Sequence, residues 1–154
     1  MNDKICCFAG HRDIYEHTND LEVKVKNEII NLIENQGVNI FYNGNNGAFD
    51  GMCRKVVYKL KKEYPFIKPY WILSYMPKES DVNLNYFSKF FDGTIYPDIE
   101  KVPLKFAIIK RNEWMVNNSN FLISYVNHDW GGAHRTFQYA KGKRLKIINI
   151  PQAY

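Results

Sequence analysis

The strongest constraint on how this chain folds is a unit that recurs along it: a short, continuously apolar run, a glycine-bearing turn, then apolar residues at helical spacing. Ile5-Cys6-Cys7-Phe8-Ala9 is closed by Gly10. An unbroken apolar run of this kind suits a parallel strand covered on both faces. Leu21, Val25, Ile29, Leu32 and Ile33 follow at helical spacing, opened by an Asn19-Asp20 cap and stopped at Gly37. Val38-Asn39-Ile40-Phe41-Tyr42 repeats the pattern, and the polar loop Asn43-Gly44-Asn45-Asn46-Gly47 ends it. Phe49, Met52, Cys53, Val56, Val57 and Leu60 then trace a second helical face. Further strands are predicted at Tyr70 to Tyr75, Phe121 to Val126 and Leu145 to Ile150, with a helix from the Gly131-Gly132 turn to Lys141.

Strands and helices in alternation specify an α/β fold: a Rossmann-like, doubly wound, mainly parallel five-stranded sheet with right-handed crossovers and helices on both faces. At 154 residues the chain is expected to form a single domain over 1–154 with a real core. The stretch from Met76 to Val102 breaks the alternation, carrying Pro77, Gly93 and Pro97 with Tyr86, Phe87, Phe90, Phe91 and Tyr96. Longer than an ordinary connection, 76–102 is either a lid that supplies a stacking surface or an excursion packed on the sheet edge.

With 45% hydrophobic and 24% charged residues, the composition excludes a wholly disordered chain. A net charge of +5 favours anionic ligands. The basic residues are scattered, however, and their largest cluster, Lys141 to Lys146, sits where cations complement the end of a helix dipole. Nucleic acid is therefore not the expected partner. Cys6, Cys7 and Cys53 have no zinc-ligand spacing, and neighbours in a strand point to opposite faces, so they read as core thiols in a reducing compartment. No signal-peptide hydrophobic region and no bilayer-length apolar run is present, which makes the cytoplasm the expected location and a membrane role unexpected. Neither a cofactor nor a metal is expected.

In folds of this type ligands sit at the carboxyl ends of the strands, where the strand order reverses. Three loops should converge there: Gly10-His11-Arg12, Gly44-Asn45-Asn46-Gly47, and Asn127 to Gly132. Glycines let backbone N–H groups approach an anion, and a loop opening into a helix N-terminus offers phosphate free donors and a positive dipole end. None of the loops spells the dinucleotide fingerprint or a P-loop. Singly each is a plain turn; their shared place in three units points to a phosphate site. Arg12 adds a bidentate clamp.

Arg111 falls between Ala107 and Met115 on an apolar stripe shared with Leu104 and Ile108, where solvated arginines seldom lie. It needs an anionic partner, from a structural salt bridge or from a ligand, unless the side chain snorkels. His11, His128 and His134 are candidate acids or bases with no metal-ligand spacing and no nucleophile beside them, and His17 lies in a polar loop without an assignable role. Asp50, in the first turn of the second helix, either complements the dipole or does chemistry. Asp129 either caps a helix or does likewise.

Three blocks carry a family resemblance: Cys7-Phe8-Ala9-Gly10-His11-Arg12; Gly44-Asn45-Asn46-Gly47-Ala48-Phe49-Asp50; and Arg111-Asn112-Glu113-Trp114-Met115, leading to Ser119-Asn120, an apolar strand and Gly131-Gly132. Over essentially its whole length the chain resembles the SLOG superfamily, which includes the Lonely Guy (LOG) phosphoribohydrolases. It is most similar to a bacterial and phage branch outside those enzymes. In LOG enzymes an arginine four residues before a methionine is catalytic, and Arg111 matches it. They follow the Gly-Gly pair with a glycine, a threonine and then a glutamate that acts at the glycosidic bond. Here His134, Arg135 and Gln138 stand at those places, with Thr136 displaced by one position, and Gln138 cannot exchange a proton as a carboxylate does.

The resemblance implies a protein that binds a phosphate-bearing nucleotide or nucleotide-derived signal as a sensor or sequestering protein, assembled as a homo-oligomer. Gly10, His11, Arg12, Gly44, Asn45, Asn46, Gly47, Asp50, Arg111, Asn127, His128, Gly131, Gly132 and Thr136 are the expected ligand contacts. The alternative is an N-glycosidic hydrolase or transferase acting on a nucleoside monophosphate, with Arg111 catalytic and Asp50 or Asp129 replacing the absent glutamate. A protein-interaction or nucleic-acid role for the basic end of the chain is the third reading.

Overall fold

The structure, a computed structural model, describes residues 2–15 and 18–151; His17 lies outside them. Strands β1 (Ile5–Gly10), β2 (Ile40–Asn43), β3 (Lys68–Ile72), β4 (Gly93–Ile95), β5 (Phe121–Tyr125) and β6 (Lys146–Asn149) form one sheet in the order β4-β3-β2-β1-β5-β6. Every pairing is parallel. Helices α1 (Thr18–Gln36), α2 (Ala48–Leu60), α3 (Val82–Phe87), α4 (Ala107–Asn117) and α5 (Gly132–Lys141) lie between them in sequence. The first helix begins at Thr18, ahead of the Asn19-Asp20 pair, and stops where Gly37 takes a φ of 74°.

The period of two in β1 divides its side chains between two cores. Cys6 and Phe8 join Val25, Ile29, Phe41, Phe49 and Val57 under α1 and α2. Cys7 and Ala9 join Tyr42, Met115, Leu122 and Ala140 under α4 and α5. The adjacent cysteines thus face opposite ways, and burial pushes the Cys7 thiol up to about 12, which leaves it inert as a nucleophile.

The sheet has six strands where five were expected. The extra one, β4, comes from the 76–102 stretch and pairs with the edge of β3 through Tyr70 to Gly93, Trp71 to Thr94 and Ile72 to Ile95. Its sequence, Gly-Thr-Ile, is too short to show a period, so its pairing and the contacts of Trp71 with Phe87 and Phe91 define it. A second difference concerns the stripe on α4. Ala107, Arg111, Met115 and Val116 are buried, but Leu104 is 86% exposed and Ile108 38%. Leu104 lies ahead of the helix, in the 3-10 turn Leu104–Phe106, and Ile108 is the helix's second residue.

From β4 at one edge the chain returns through a 3-10 turn, Leu104–Phe106, and α4 to place β5 on the far side of β1. The strand order therefore reverses between β1 and β5, which sets a crevice at their carboxyl ends. Among the described residues, no helix is long and apolar enough to cross a membrane.

Candidate functional site

A cleft of about 460 Å³ opens at that reversal point. Its floor is the end of β1, Phe8 to Gly10, continuing into His11, Arg12, Asp13 and Tyr15. Asn46 and Asp50 enter from the start of α2, Ile108, Arg111 and Asn112 from α4, and His128, Trp130, Gly131, Gly132 and Ala133 from the approach to α5. The blocks containing Gly10, Asp50, Arg111 and the Gly131-Gly132 turn, far apart in the chain, meet here.

The loops after β1 and β5 are tied to each other. The His11 backbone N–H donates to the Tyr125 carbonyl (3.2 Å), and the Asn127 backbone N–H donates to His11 Nε2 (3.0 Å). With Nε2 accepting, neutral His11 carries its hydrogen at Nδ1, and a second proton would turn the acceptor towards an opposing N–H. Burial, followed by the charges of His128 and His134, lowers the His11 pKa to about 4. The ring of His11 stacks on His128 at 3.5 Å, and His128 stacks on Trp130 at 3.9 Å.

Arg111 is 2% exposed. Its Nη1 donates to the carbonyls of Gly44 (2.9 Å) and Ile72 (3.0 Å), at the ends of β2 and β3, and Nε donates to Asn112 Oδ1 (2.9 Å). A Cβ on Gly44 would lie 2.7 Å from the guanidinium carbon, so glycine is what lets the side chain cross the strand end. Among the described residues no carboxylate forms an ion pair with Arg111. Of the alternatives open for Arg111, a structural salt bridge is not found among the described residues, and main-chain carbonyl oxygens hold the cation. Burial lowers its pKa, and the charge of Asp50 acts the other way.

Asp50 is the buried carboxylate of the cleft, whose lining also includes the exposed Asp13. One oxygen accepts from the Asn46 backbone N–H (3.0 Å), while Oδ1 is buried with no hydrogen-bond partner. Burial raises its pKa to about 6, against the opposing effects of the Asn46 N–H, Arg111 and Arg54. An acid poised this close to neutrality with an unoccupied oxygen is equipped to hold or pass a proton.

The remaining candidates separate. Arg12 lines the cleft, exposed, with Nη2 donating to Asn46 Oδ1 (3.3 Å). Gly47, with φ 100°, packs on Arg12 and not into the cleft. Gly44 and Asn45 line a second cavity of about 280 Å³ with Trp71, Tyr75, Asn83 and Phe87, which shares Asn46, Ile108 and Arg111 with the first. Asn127 serves His11 through its backbone and holds the Tyr125 hydroxyl with its amide (3.2 Å). Thr136 is buried, donating to the Gly132 carbonyl (3.0 Å) and accepting from Asn112 (3.2 Å), so it braces the turn. Asp129 is exposed and outside the cleft lining, and α5 is capped by Gly131 with no side-chain bond. Gln138 is likewise exposed on α5 and outside the lining. Among the described residues no cluster of His, Cys, Asp and Glu is arranged to hold a metal.

Sequence reasoning missed Tyr15, Ile108, Asn112 and Trp130 as lining residues. Trp130 had a usable signal: a large aromatic directly before the glycine turn at the end of a strand. Ile108 had none, because its helical spacing imitates a core position.

No protein-family model matches this sequence, and no curated protein matches it. Likeness is found in the fold. DNA processing protein A (DprA) from Streptococcus pneumoniae superimposes with a TM-score of 0.66 at 13% identity, over 94% of this chain and 49% of that one. TM1055, a structural genomics target, gives a TM-score of 0.58 at 13% identity, over 94% of this chain and 72% of that one. The chain thus spans about half the length of the DprA structure. These likenesses show a Rossmann-like α/β fold.

Proposed function

We propose that the cleft binds the phosphate-bearing part of a nucleotide or nucleotide-derived signal, and that the protein acts as a sensor or sequestering protein. The observation that carries this reading is Arg111, a guanidinium 2% exposed that lines the cleft without an ion pair among the described residues. A charge held out of water is costly until an opposite charge offsets it, and a phosphate is such an offset. The start of α5, which no side chain caps, and the exposed Arg12 add donors at the same cleft. An arriving anion raises the Asp50 pKa further, so binding takes up a proton near neutral pH. Homo-oligomeric assembly belongs to the same reading, on the resemblance alone.

The test is thermal stability of the wild type and Arg111→Met with ribose 5-phosphate, nucleoside monophosphates, and cyclic and ADP-ribose-derived nucleotides. The wild type should gain stability without forming product, and the variant should not. No gain with any ligand sinks the reading.

A second reading, N-glycosidic hydrolysis of a nucleoside monophosphate, is favoured by the unpartnered Oδ1 of Asp50 in the same cleft. Arg111 would hold the phosphate or polarise the ribose while Asp50 offsets the positive charge of an oxocarbenium-like transition state. The base leaves with the bonding pair and gains a proton as water adds to the anomeric carbon. Release of free base should stop in Asp50→Asn; unchanged release removes this mechanism.

A further inference from the structure

The rings of His11, His128 and Trp130 form a continuous stack, with centroids 3.5 and 3.9 Å apart and interplanar angles of 11° and 20°. Its inner end is fixed. His11 is buried, held at Nε2 by the Asn127 N–H, and Tyr125 meets it edge-on at 6.0 Å. His128 sits between two rings, its Nδ1 buried and without a hydrogen-bond partner. The outer end is open: Trp130 is 68% exposed, although it lines the cleft and immediately precedes the Gly131-Gly132 turn. Burying an indole normally contributes to stability, so one left exposed on a preorganised ring stack has its uncovered face available to another flat ring.

We infer that this face of Trp130 is the base subsite of the cleft, stacking the planar heterocycle of the ligand as the next ring of the series. The inference rests on the phosphate-binding reading and adds to it where the base goes. A nucleotide whose phosphate meets the start of α5 has its base within reach of Trp130, two residues before Gly132. The chemistry selected is a flat, electron-poor heterocycle with little regard to its edge, because the indole face supplies dispersion and no hydrogen-bond code. Tyr15, 93% exposed, lines the same cleft and offers a second ring to the same occupant. The cleft should therefore accept purine and pyrimidine nucleotides in order of stacking strength, purines ahead.

The experiment compares AMP and UMP with ribose 5-phosphate, which has the sugar and phosphate but no base, by calorimetric titration of wild type, Trp130→Ala and Trp130→Phe. The expected result is that AMP binds the wild type about tenfold more tightly than ribose 5-phosphate. Trp130→Ala should remove that advantage while changing ribose 5-phosphate affinity less than twofold, and Trp130→Phe should recover most of it. If ribose 5-phosphate binds and AMP is no tighter, the base subsite is overturned while the phosphate site stands. If AMP is tighter and remains so in Trp130→Ala, the base lies elsewhere, and the second cavity by Trp71 and Phe87 takes its place. If none of the ligands binds, the phosphate site itself has failed and the subsite falls with it.

Discussion

Helices α2 and α5 open in the same way and differ in what fills the opening. Each starts from a glycine that only glycine readily supplies, Gly47 at φ 100° and Gly131 at φ 94°, and neither has a side-chain cap. At α2 the chain itself closes the opening. The Arg12 carbonyl accepts from the Ala48 N–H (2.8 Å), Asp50 accepts from the Asn46 N–H (3.0 Å), and a Cβ on Gly47 would come within 2.8 Å of the Arg12 backbone. At α5 a Cβ on Gly131 would meet only His128, at 3.9 Å, and one on Gly132 would meet nothing within 4 Å. A glycine at a helix start therefore marks a close approach without saying what approaches. At α2 it is the neighbouring loop, and at α5 the space is left open.

Substitutions that add the same methyl group at each opening separate these cases. Gly47→Ala combines backbone strain with a clash against main chain, and should cost about 4 kcal/mol in urea unfolding. Gly131→Ala carries the strain alone, so about 2 kcal/mol is expected. Equal losses at the two positions would break the contrast.

Asp50→Asn probes what closes the α2 start, with the opposite sign. The folded pKa of Asp50 is raised from 3.8 to about 6, so the stability contributed by its protonated form is full below pH 4 and lost as pH rises through 6. Replacement by asparagine should accordingly stabilise the protein by about 3 kcal/mol at pH 8 and by nothing at pH 4. His11 works the other way, because its folded pKa is lowered from 6.5 to about 4. Its contribution is present above pH 6.5 and lost as pH falls through 4. The two effects oppose each other across one window, so the melting temperature of Asp50→Asn should rise from pH 4 to 6.5 more steeply than that of the wild type.

The smallest effect on stability is the sharpest test of the open end. Gly132→Ala should change unfolding free energy by less than about 0.5 kcal/mol, since the methyl meets no atom and alanine suits a helix. It should nonetheless weaken the phosphate ligand severalfold, read by titration calorimetry. Undiminished affinity would show that no ligand reaches that turn.

Much of this frame was legible from residues alone. The runs at Ile5 and Phe121 and the helical faces at Leu21 and Phe49 were long and regular enough for burial on two sides to dictate them. The arginine at 111 was legible as well, because a permanent charge at a core position contradicts its surroundings. Its holders were not: the Gly44 and Ile72 carbonyls lie at the ends of other strands, and main-chain oxygens leave no mark in a sequence. Leu104 and Ile108 misled because helical spacing reports a face and not what lies beneath it. The His11 to Trp130 stack joins two loops that meet only once β5 pairs with β1.

The strand that the sequence hid has a consequence for behaviour in a crowded solution. The two rims of the sheet are β4, three residues long, and β6, four residues long with its first residue, Lys146, exposed. A rim is where a foreign strand adds on, and rims this short give it only a few hydrogen bonds to recruit. The interior strands, rich in Ile, Phe and Tyr, would be hazardous as free edges. Clipping the 76–102 stretch to remove β4 would uncover the Trp71 edge of β3, and turbidity on concentration is where that change would be seen.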